Sequence, residues 1–270
     1  MADPELEPME RDLLFYPVRN DSPCRLTLQQ IEQFNERGYL KEIDIFDAAG
    51  AKANQLYFND LLAKVFAADD GRDSYSINGY QTKCRGIYDL AVHPLILDYV
   101  EDLLGPDTIC WGTHYFCKLP GEVKEVSWHQ DAAYWPLTPS KTVTAWLAID
   151  DADCQNGCMK VIPGSHRQGK VPLCDSIPDN QNVLTQEVID AEQYGQVEYI
   201  DLKAGQISLH SDLLIHGSDP NLSDRRRCGV TLRYVPPEVR GSWNTGSIIC
   251  RGSDPSGHWA NIRRPDADHP

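Results

Sequence analysis

Near residue 105 the apolar pattern changes period, and this limits the folds open to the chain more than any other feature. From there on, β-branched and aromatic residues come in short runs, over 109–118, 125–131, 142–149, 158–162, 197–202, 206–210 and 227–235, separated by Gly, Pro, Asn and Asp. Such spacing is the pattern of a sandwich or jelly roll. Before residue 105 the period is helical. Thr27 followed by Gln30, with Leu28, Ile31 and Phe34 behind them, predicts a capped amphipathic helix ending at Gly38. A second helix is expected over 50–67 and a third after His93-Pro94, stopping at Gly105-Pro106. The expectation is a mainly β protein with flanking helices, one domain over 1–270, with a helical part at 26–105, a jelly-roll core at 106–236 and a C-terminal extension at 237–270. Residues 1–25, rich in Pro, Asp and Glu, read as an irregular arm. The polar stretch 170–195 reads as an insertion or a loop able to cover a site.

Charge narrows the partners. Lys+Arg 25 against Asp+Glu 40 gives a formal net charge of −15, which repels a phosphate backbone or an anionic membrane face. A small molecule is therefore expected as partner, and neither nucleic acid nor membrane; the oligomeric state is not legible. The acidic N-terminus lacks the positive charge and apolar run of a secretory signal. No stretch approaches the roughly 18 apolar residues of a membrane span. Nine cysteines, odd in number and scattered, fit free thiols in a reducing cytoplasm. Cys154 and Cys158 form the close pair, and with no further ligands at matching spacing they read as small residues flanking a turn.

The chemistry concentrates at Trp128-His129-Gln130-Asp131. Residues two apart on a strand share a face, so His129 and Asp131 could grip one ion. A His-x-Asp alone is weak, because polar strand edges produce it by chance. Its setting strengthens it, since Trp128, Tyr134 and Trp135 suit a pocket wall. The third ligand is expected from His216, 216 − 129 = 87 residues downstream. His210 competes for that role, but it ends a predicted strand, whereas His216 precedes Gly-Ser and lies 227 − 216 = 11 residues before Arg227. Two imidazoles and one carboxylate form the facial triad of Fe(II) oxygenases, which leaves positions open for a chelating co-substrate and O2. A structural zinc site would want four protein ligands.

Over 227–234 the residues alternate. Cys228, Val230, Leu232 and Tyr234 share one face, and Arg227, Gly229, Thr231 and Arg233 the other. If the apolar face packs under the helices, Arg227 and Arg233 point into a cavity, where a guanidinium can bind a carboxylate through two parallel hydrogen bonds; for Arg233 the partner is either an anionic group of the main substrate or a core acid. Arg225 and Arg226 read as a solvated basic run.

Taken in order, Trp128-His129-Gln130-Asp131, Ala145-Trp146, Asn156-Gly157-Cys158-Met159-Lys160-Val161-Ile162-Pro163-Gly164-Ser165-His166, and His216-Gly217-Ser218 with Asn221, Ser223 and Arg227 give a combination more specific than any one piece. Over about 80–236 the chain resembles the phytanoyl-CoA dioxygenase-like family of Fe(II)/2-oxoglutarate oxygenases. The resemblance implies a double-stranded β-helix (a cupin-like jelly roll), iron on His129, Asp131 and His216, and Arg227 paired with 2-oxoglutarate. It also places Trp146, Ser218 and His114 at co-substrate-contacting positions, although His114 departs from the apolar residue of some members. Implied too are O2 consumption, succinate and CO2 as products, and ascorbate as the reductant in vitro. Halogenases of this kind lack the carboxylate, so Asp131 argues for hydroxylation. The expected substrate is a small polar or zwitterionic metabolite, an aminophosphonate among the candidates, with Arg233 and Arg85 meeting a second anion and Tyr134, Trp135 and Phe116 as pocket walls. The alternative is a jelly-roll binding protein without turnover, and the complete triad with Arg227 weighs against it.

Overall fold

The computed structural model describes residues 10–176 and 182–270. The acidic first residues of the predicted arm and the middle of the 170–195 stretch lie outside them. Four helices precede the β region: α1 (Leu28–Arg37), α2 (Ala48–Ala67), α3 (Arg85–Ala91) and α4 (Pro94–Leu104), with strand β1 (Tyr39–Asp44) between the first two. Helix α1 starts where expected, because Thr27 Oγ1 accepts from the Gln30 N–H while the Gln30 side chain accepts from the Thr27 N–H. It ends at Gly38, whose φ of 83° lies in the left-handed region. Helix α4 opens on Pro94, where a missing N–H is harmless, and stops at Gly105.

The β region runs β2 (Thr108–Lys118), β3 (Val126–His129), a helical turn α5 (Asp131–Tyr134), β4 (Leu137–Thr138), β5 (Val143–Ala148) and β6 (Met159–Val161). It continues through β7 (Leu173–Asp175), β8 (Gln186–Val188), β9 (Glu198–Ile200) and β10 (Gln206–Ser211). The last strands are β11 (His216–Ser218), β12 (Arg227–Val235), β13 (Arg240–Gly241) and β14 (Ile248–Arg251). Six strands form a large sheet, β1-β10-β5-β12-β2-β14, and four a small one, β3-β11-β6-β9. Every ladder within these two sheets is antiparallel. This is a jelly roll, within what the strand pattern predicts, and the double-stranded β-helix that the family resemblance implies.

The main core lies between the helices and one face of the large sheet. Phe58, Leu61 and Val65 of α2 and Ile96 and Val100 of α4 meet Val143, Ala145 and Leu147 of β5 and Cys228, Val230, Leu232 and Tyr234 of β12. Fully burying each of the larger aliphatic side chains contributes roughly 1.5–3 kcal/mol. The opposite face of β12 is thereby turned toward the small sheet. The alternation read from the sequence holds along the whole strand.

Six elements named here were not expected. Strand β1 escapes the period-2 pattern because its pairing with β10 shifts register between Leu40 and Ile43, with Glu42 at φ 60°. Helix α3, seven residues long, is too short for a clear period. Strands β13 and β14 turn the supposed C-terminal extension into part of the fold, since β14 pairs with β2 at the edge of the large sheet. The described parts of 170–195 hold the β7–β8 hairpin rather than a structureless loop.

His166, in the short helical turn Ser165–Gln168, helps to join α1 to the β region. Its ring is fully buried, donates through Nε2 to the Asn35 carbonyl at 3.1 Å and meets Phe15 edge-on at 4.3 Å. Burial pulls its pKa down to about 4. The unfolded chain binds this proton below about 6.5 and the folded chain does not until about 4, so His166 costs stability as pH falls through that window. Thermal unfolding followed from pH 7.5 to 4.5 should show a falling Tm, with part of the fall absent in His166→Gln. Parallel falls in the two proteins would contradict this.

Candidate active site

The cavity between the two sheets has a volume of about 300 Å³ and takes residues from both. His129 and His216 come from the small sheet, where β3 and β11 pair so that the two stand directly opposite. That register brings them together, with ring centroids 4.0 Å apart. Strand β3 ends at His129 and Asp131 opens α5, so Asp131 reaches the site from a helical turn rather than from the shared strand face expected. Gln130 between them is fully buried and holds the turn: its Nε2 donates to the carbonyls of Leu213 and Gly169, and its Oε1 accepts from Val171 N–H. Ala132 N–H adds a bond to the Asp212 carbonyl at 2.9 Å.

Asp131 Oδ1 lies 3.6 Å from His129 Nε2 and 4.0 Å from His216 Nε2. One donor atom from each of the three residues lies within 4.8 Å of the others. The tautomers suit a metal. His129 Nδ1 donates to the Ser127 carbonyl and His216 Nδ1 to the Leu214 carbonyl, both at 2.9 Å. A carbonyl can only accept, so each Nδ1 carries a proton, and in the neutral ring Nε2 is then the atom with a lone pair for an ion. Burial, and then neighbouring His129, pull His216 down to about 3, so that ring is neutral at ordinary pH. Burial works to raise the pKa of Asp131, but His129, His210 and His216 outweigh it and hold the carboxyl well below its usual range. An ionised carboxylate and two imidazoles with free Nε2 atoms form the donor set of a facial metal centre. His210 faces the other carboxylate oxygen, at 3.8 Å, and lies outside the donor group.

The large sheet supplies the rest of the wall. Arg227 is buried and well oriented: its Nε donates to the Gly157 carbonyl at 2.9 Å, Nη1 to the Phe116 carbonyl at 3.1 Å and Nη2 to Ser218 Oγ at 3.3 Å. A guanidinium has five N–H donors, so one remains on each terminal nitrogen. Among the described residues no carboxylate pairs with Arg227, whereas Arg225 and Arg226 form ion pairs with Asp153 and Asp150 at 2.8 and 2.7 Å. Trp146 lies over Gly229, where a Cβ would come within 2.1 Å of the indole. Only glycine permits that approach. Lys118, fully buried and opposite Arg227, donates to the Ser218 carbonyl at 3.2 Å and ties β11 to the large sheet.

His114, Phe116, Tyr134, Trp135, Ser218 and Arg233 also line this cavity, as the sequence suggests. His114 Nε2 donates to the Tyr75 carbonyl at 2.7 Å; burial, then Arg233, lowers its pKa to about 4. Arg85 does not belong here. It is exposed on α3, a helix packed on the opposite face of the large sheet, and donates to the Asp266 carbonyl at 3.0 Å. Trp243 was missed, since the extension that carries it shows no strand pattern, as were Val183 and Leu184 beside β8. A larger recess of about 510 Å³ beside Phe15 and Lys141 holds no group of metal-ligating residues among those described.

These features agree with comparisons to known proteins. The family model described as phytanoyl-CoA dioxygenase (PhyH) matches residues 27–229. The chain is 30% identical over 149 residues to the peroxisomal phytanoyl-CoA dioxygenase of Bos taurus, covering 53% of this chain and 44% of that protein. It is also 30% identical over 153 residues to a probable alpha-ketoglutarate-dependent hypophosphite dioxygenase of Stutzerimonas stutzeri, covering 53% of this chain and 51% of that protein. These matches span about half the length of the curated relatives. Among solved structures, the non-heme monooxygenase ThoJ superposes with a TM-score of 0.77 at 27% identity, covering 88% of both chains. EctD from S. alaskensis, at 0.70 and 19% over 93% of both chains, shares the fold. The chain belongs to the phytanoyl-CoA dioxygenase (PhyH) family.

Proposed function

We propose that the chain is an Fe(II)- and 2-oxoglutarate-dependent dioxygenase that hydroxylates a small polar or zwitterionic metabolite. One observation carries this reading: a single cavity joins an ionised carboxylate, two imidazoles that turn their Nε2 atoms toward it and a buried arginine without an acidic partner among the described residues. His129, Asp131 and His216 would hold the iron, and the two spare N–H groups of Arg227 the distal carboxylate of 2-oxoglutarate. Bound together, iron and 2-oxoglutarate supply an O2-dependent oxidation that yields CO2, succinate and a hydroxylated product. Relatives named as dioxygenases and the monooxygenase ThoJ support the class.

The chain's own residues set the conditions. Asp131 fills the position that a halide would need, which favours hydroxylation over chlorination. Trp146 and Phe116 wall the end of the cavity near Arg227. His114, neutral down to about pH 4, presents an uncharged ring. An acidic exterior of net charge −15 disfavours a coenzyme A nucleotide. A small acid remains among the candidates, an aminophosphonate included, and the relative named for hypophosphite supports a phosphorus oxyanion.

Purified protein given Fe(II), ascorbate and 2-oxoglutarate should release succinate, with stimulation by the right member of a metabolite panel. His129→Ala or Asp131→Ala should lower turnover at least about a hundredfold with the near-UV circular dichroism unchanged; retained turnover would remove these residues from the metal centre. Arg227→Ala should raise the half-saturating 2-oxoglutarate concentration by about 10–100-fold. An unchanged value would move that role to Arg233, because Arg225 and Arg226 are paired with Asp153 and Asp150. Gly229→Ala should push the Trp146 indole into the cavity and raise the same requirement while metal content, read by mass spectrometry, stays at one per chain; an unaltered requirement would show that Trp146 does not bound the co-substrate site.

A further inference from the structure

The cavity holds a second buried cation that the proposed reaction does not use. Arg233 is 9% exposed and lines the same space. Its Nε has no hydrogen-bond partner, and the guanidinium forms no ion pair among the described residues. Asp131, the carboxylate whose charge it senses, is faced by three imidazoles instead. What holds the guanidinium is aromatic. Its Cζ lies 5.4 Å from the ring centroid of Trp111 and 5.0 Å from that of Trp135, and these indoles meet edge-on at 4.8 Å. Trp243 extends the aromatic wall, 5.9 Å from Trp111.

Indole faces attract a cation without neutralising it or occupying its N–H donors. A buried charge left in that state is costly unless a ligand completes it. The backbone makes room for such a ligand. Gly112 stands opposite Arg233 across the β2–β12 ladder, and even a Cβ there would stay 3.9 Å from Nη1. A register shift after Arg233 leaves Trp111 as the extra residue of β2, which turns its side chain to the cavity side. Arg227 and Arg233 share one strand face six residues apart (233 − 227 = 6), or about 20 Å along the strand. Arg227 is held by the Gly157 and Phe116 carbonyls and Ser218, and Arg233 by Trp111 and Trp135, so the two guanidinium groups serve different parts of the cavity, and with 2-oxoglutarate at Arg227 the second arginine is left for another molecule.

We propose that Arg233 is the receptor for an oxyanion group, a carboxylate or a phosphonate, of the molecule to be hydroxylated. The substrate is then a small organic anion, its charged end held at Arg233 in the tryptophan cage. This assignment rests on the reading of the triad and Arg227 given above.

The test uses the full chain loaded with Mn(II) and saturating 2-oxoglutarate, so that Arg227 is already engaged. Benzoate against benzamide, and phenylphosphonate against its diethyl ester, are titrated while intrinsic tryptophan fluorescence is read. At least one anion should quench saturably and bind about tenfold or more tightly than its neutral counterpart. The preference should vanish in Arg233→Met and survive in part in Arg233→Lys, a rescue that a merely structural role would not give. Whichever pair shows the effect separates carboxylate from phosphonate. Equal binding of anion and neutral partner, an unchanged preference in Arg233→Met, or no saturable quenching by either anion overturns the assignment. Calorimetric titration of the Mn(II)-loaded protein with 2-oxoglutarate reports separately on the underlying reading: no binding there defeats the oxygenase proposal, whereas binding there with no anion preference defeats only the role of Arg233.

Discussion

The candidate site depends on one short antiparallel ladder, β11 against β3, which sets His216 opposite His129. A slip of one residue would turn one imidazole away from the cavity, because neighbouring strand residues face opposite sides. Several features fix the register. Gly217 carries no side chain where a Cβ would stand 2.7 Å from the Val126 carbonyl. Gln130 ties the turn that presents Asp131 to the connection leading into β11, and Lys118 ties the end of β11 to the large sheet. The donor set thus follows from backbone pairing first and from side-chain chemistry second.

The two sheets divide the chemistry between them. The small sheet and its adjoining turn carry the metal donors, among them the ionised carboxylate of Asp131 and the neutral ring of His216. The large sheet carries Arg227 and Arg233 on a face whose other side is apolar and covered by helices. A chain of formal charge −15 thereby keeps a cavity with two arginines that pair with no carboxylate among the described residues. Exterior and cavity differ in sign, so a polyanion is repelled by the surface while a small anion finds matching donors within.

Much of this was legible in the sequence because strand and helix periods report directly on packing. The alternation over 227–234 puts Arg227 and Arg233 on the cavity side, since one face has to be apolar to lie under the helices. The cap at Thr27 and the stops at Gly38 and Gly105 fixed two helices. What stayed hidden involved broken alternation or contacts remote in sequence. Asp131 left its strand for a helical turn held by Gln130, and the bulge after Arg233 moved Trp111 onto the cavity side against its parity. Trp243 entered the wall from a segment without a strand pattern, and Arg85 was lost to it because α3 packs among the helices, on the face of the large sheet away from the cavity.

The central claim is that two imidazoles and one carboxylate converge on a single iron while Arg227 receives the co-substrate. An anaerobic crystal structure with Fe(II) and 2-oxoglutarate tests it most directly. It should place the metal within bonding distance of His129 Nε2, Asp131 and His216 Nε2, with the distal carboxylate of 2-oxoglutarate on Arg227. Metal bound through His210 in place of His216, or 2-oxoglutarate seated away from Arg227, would contradict it.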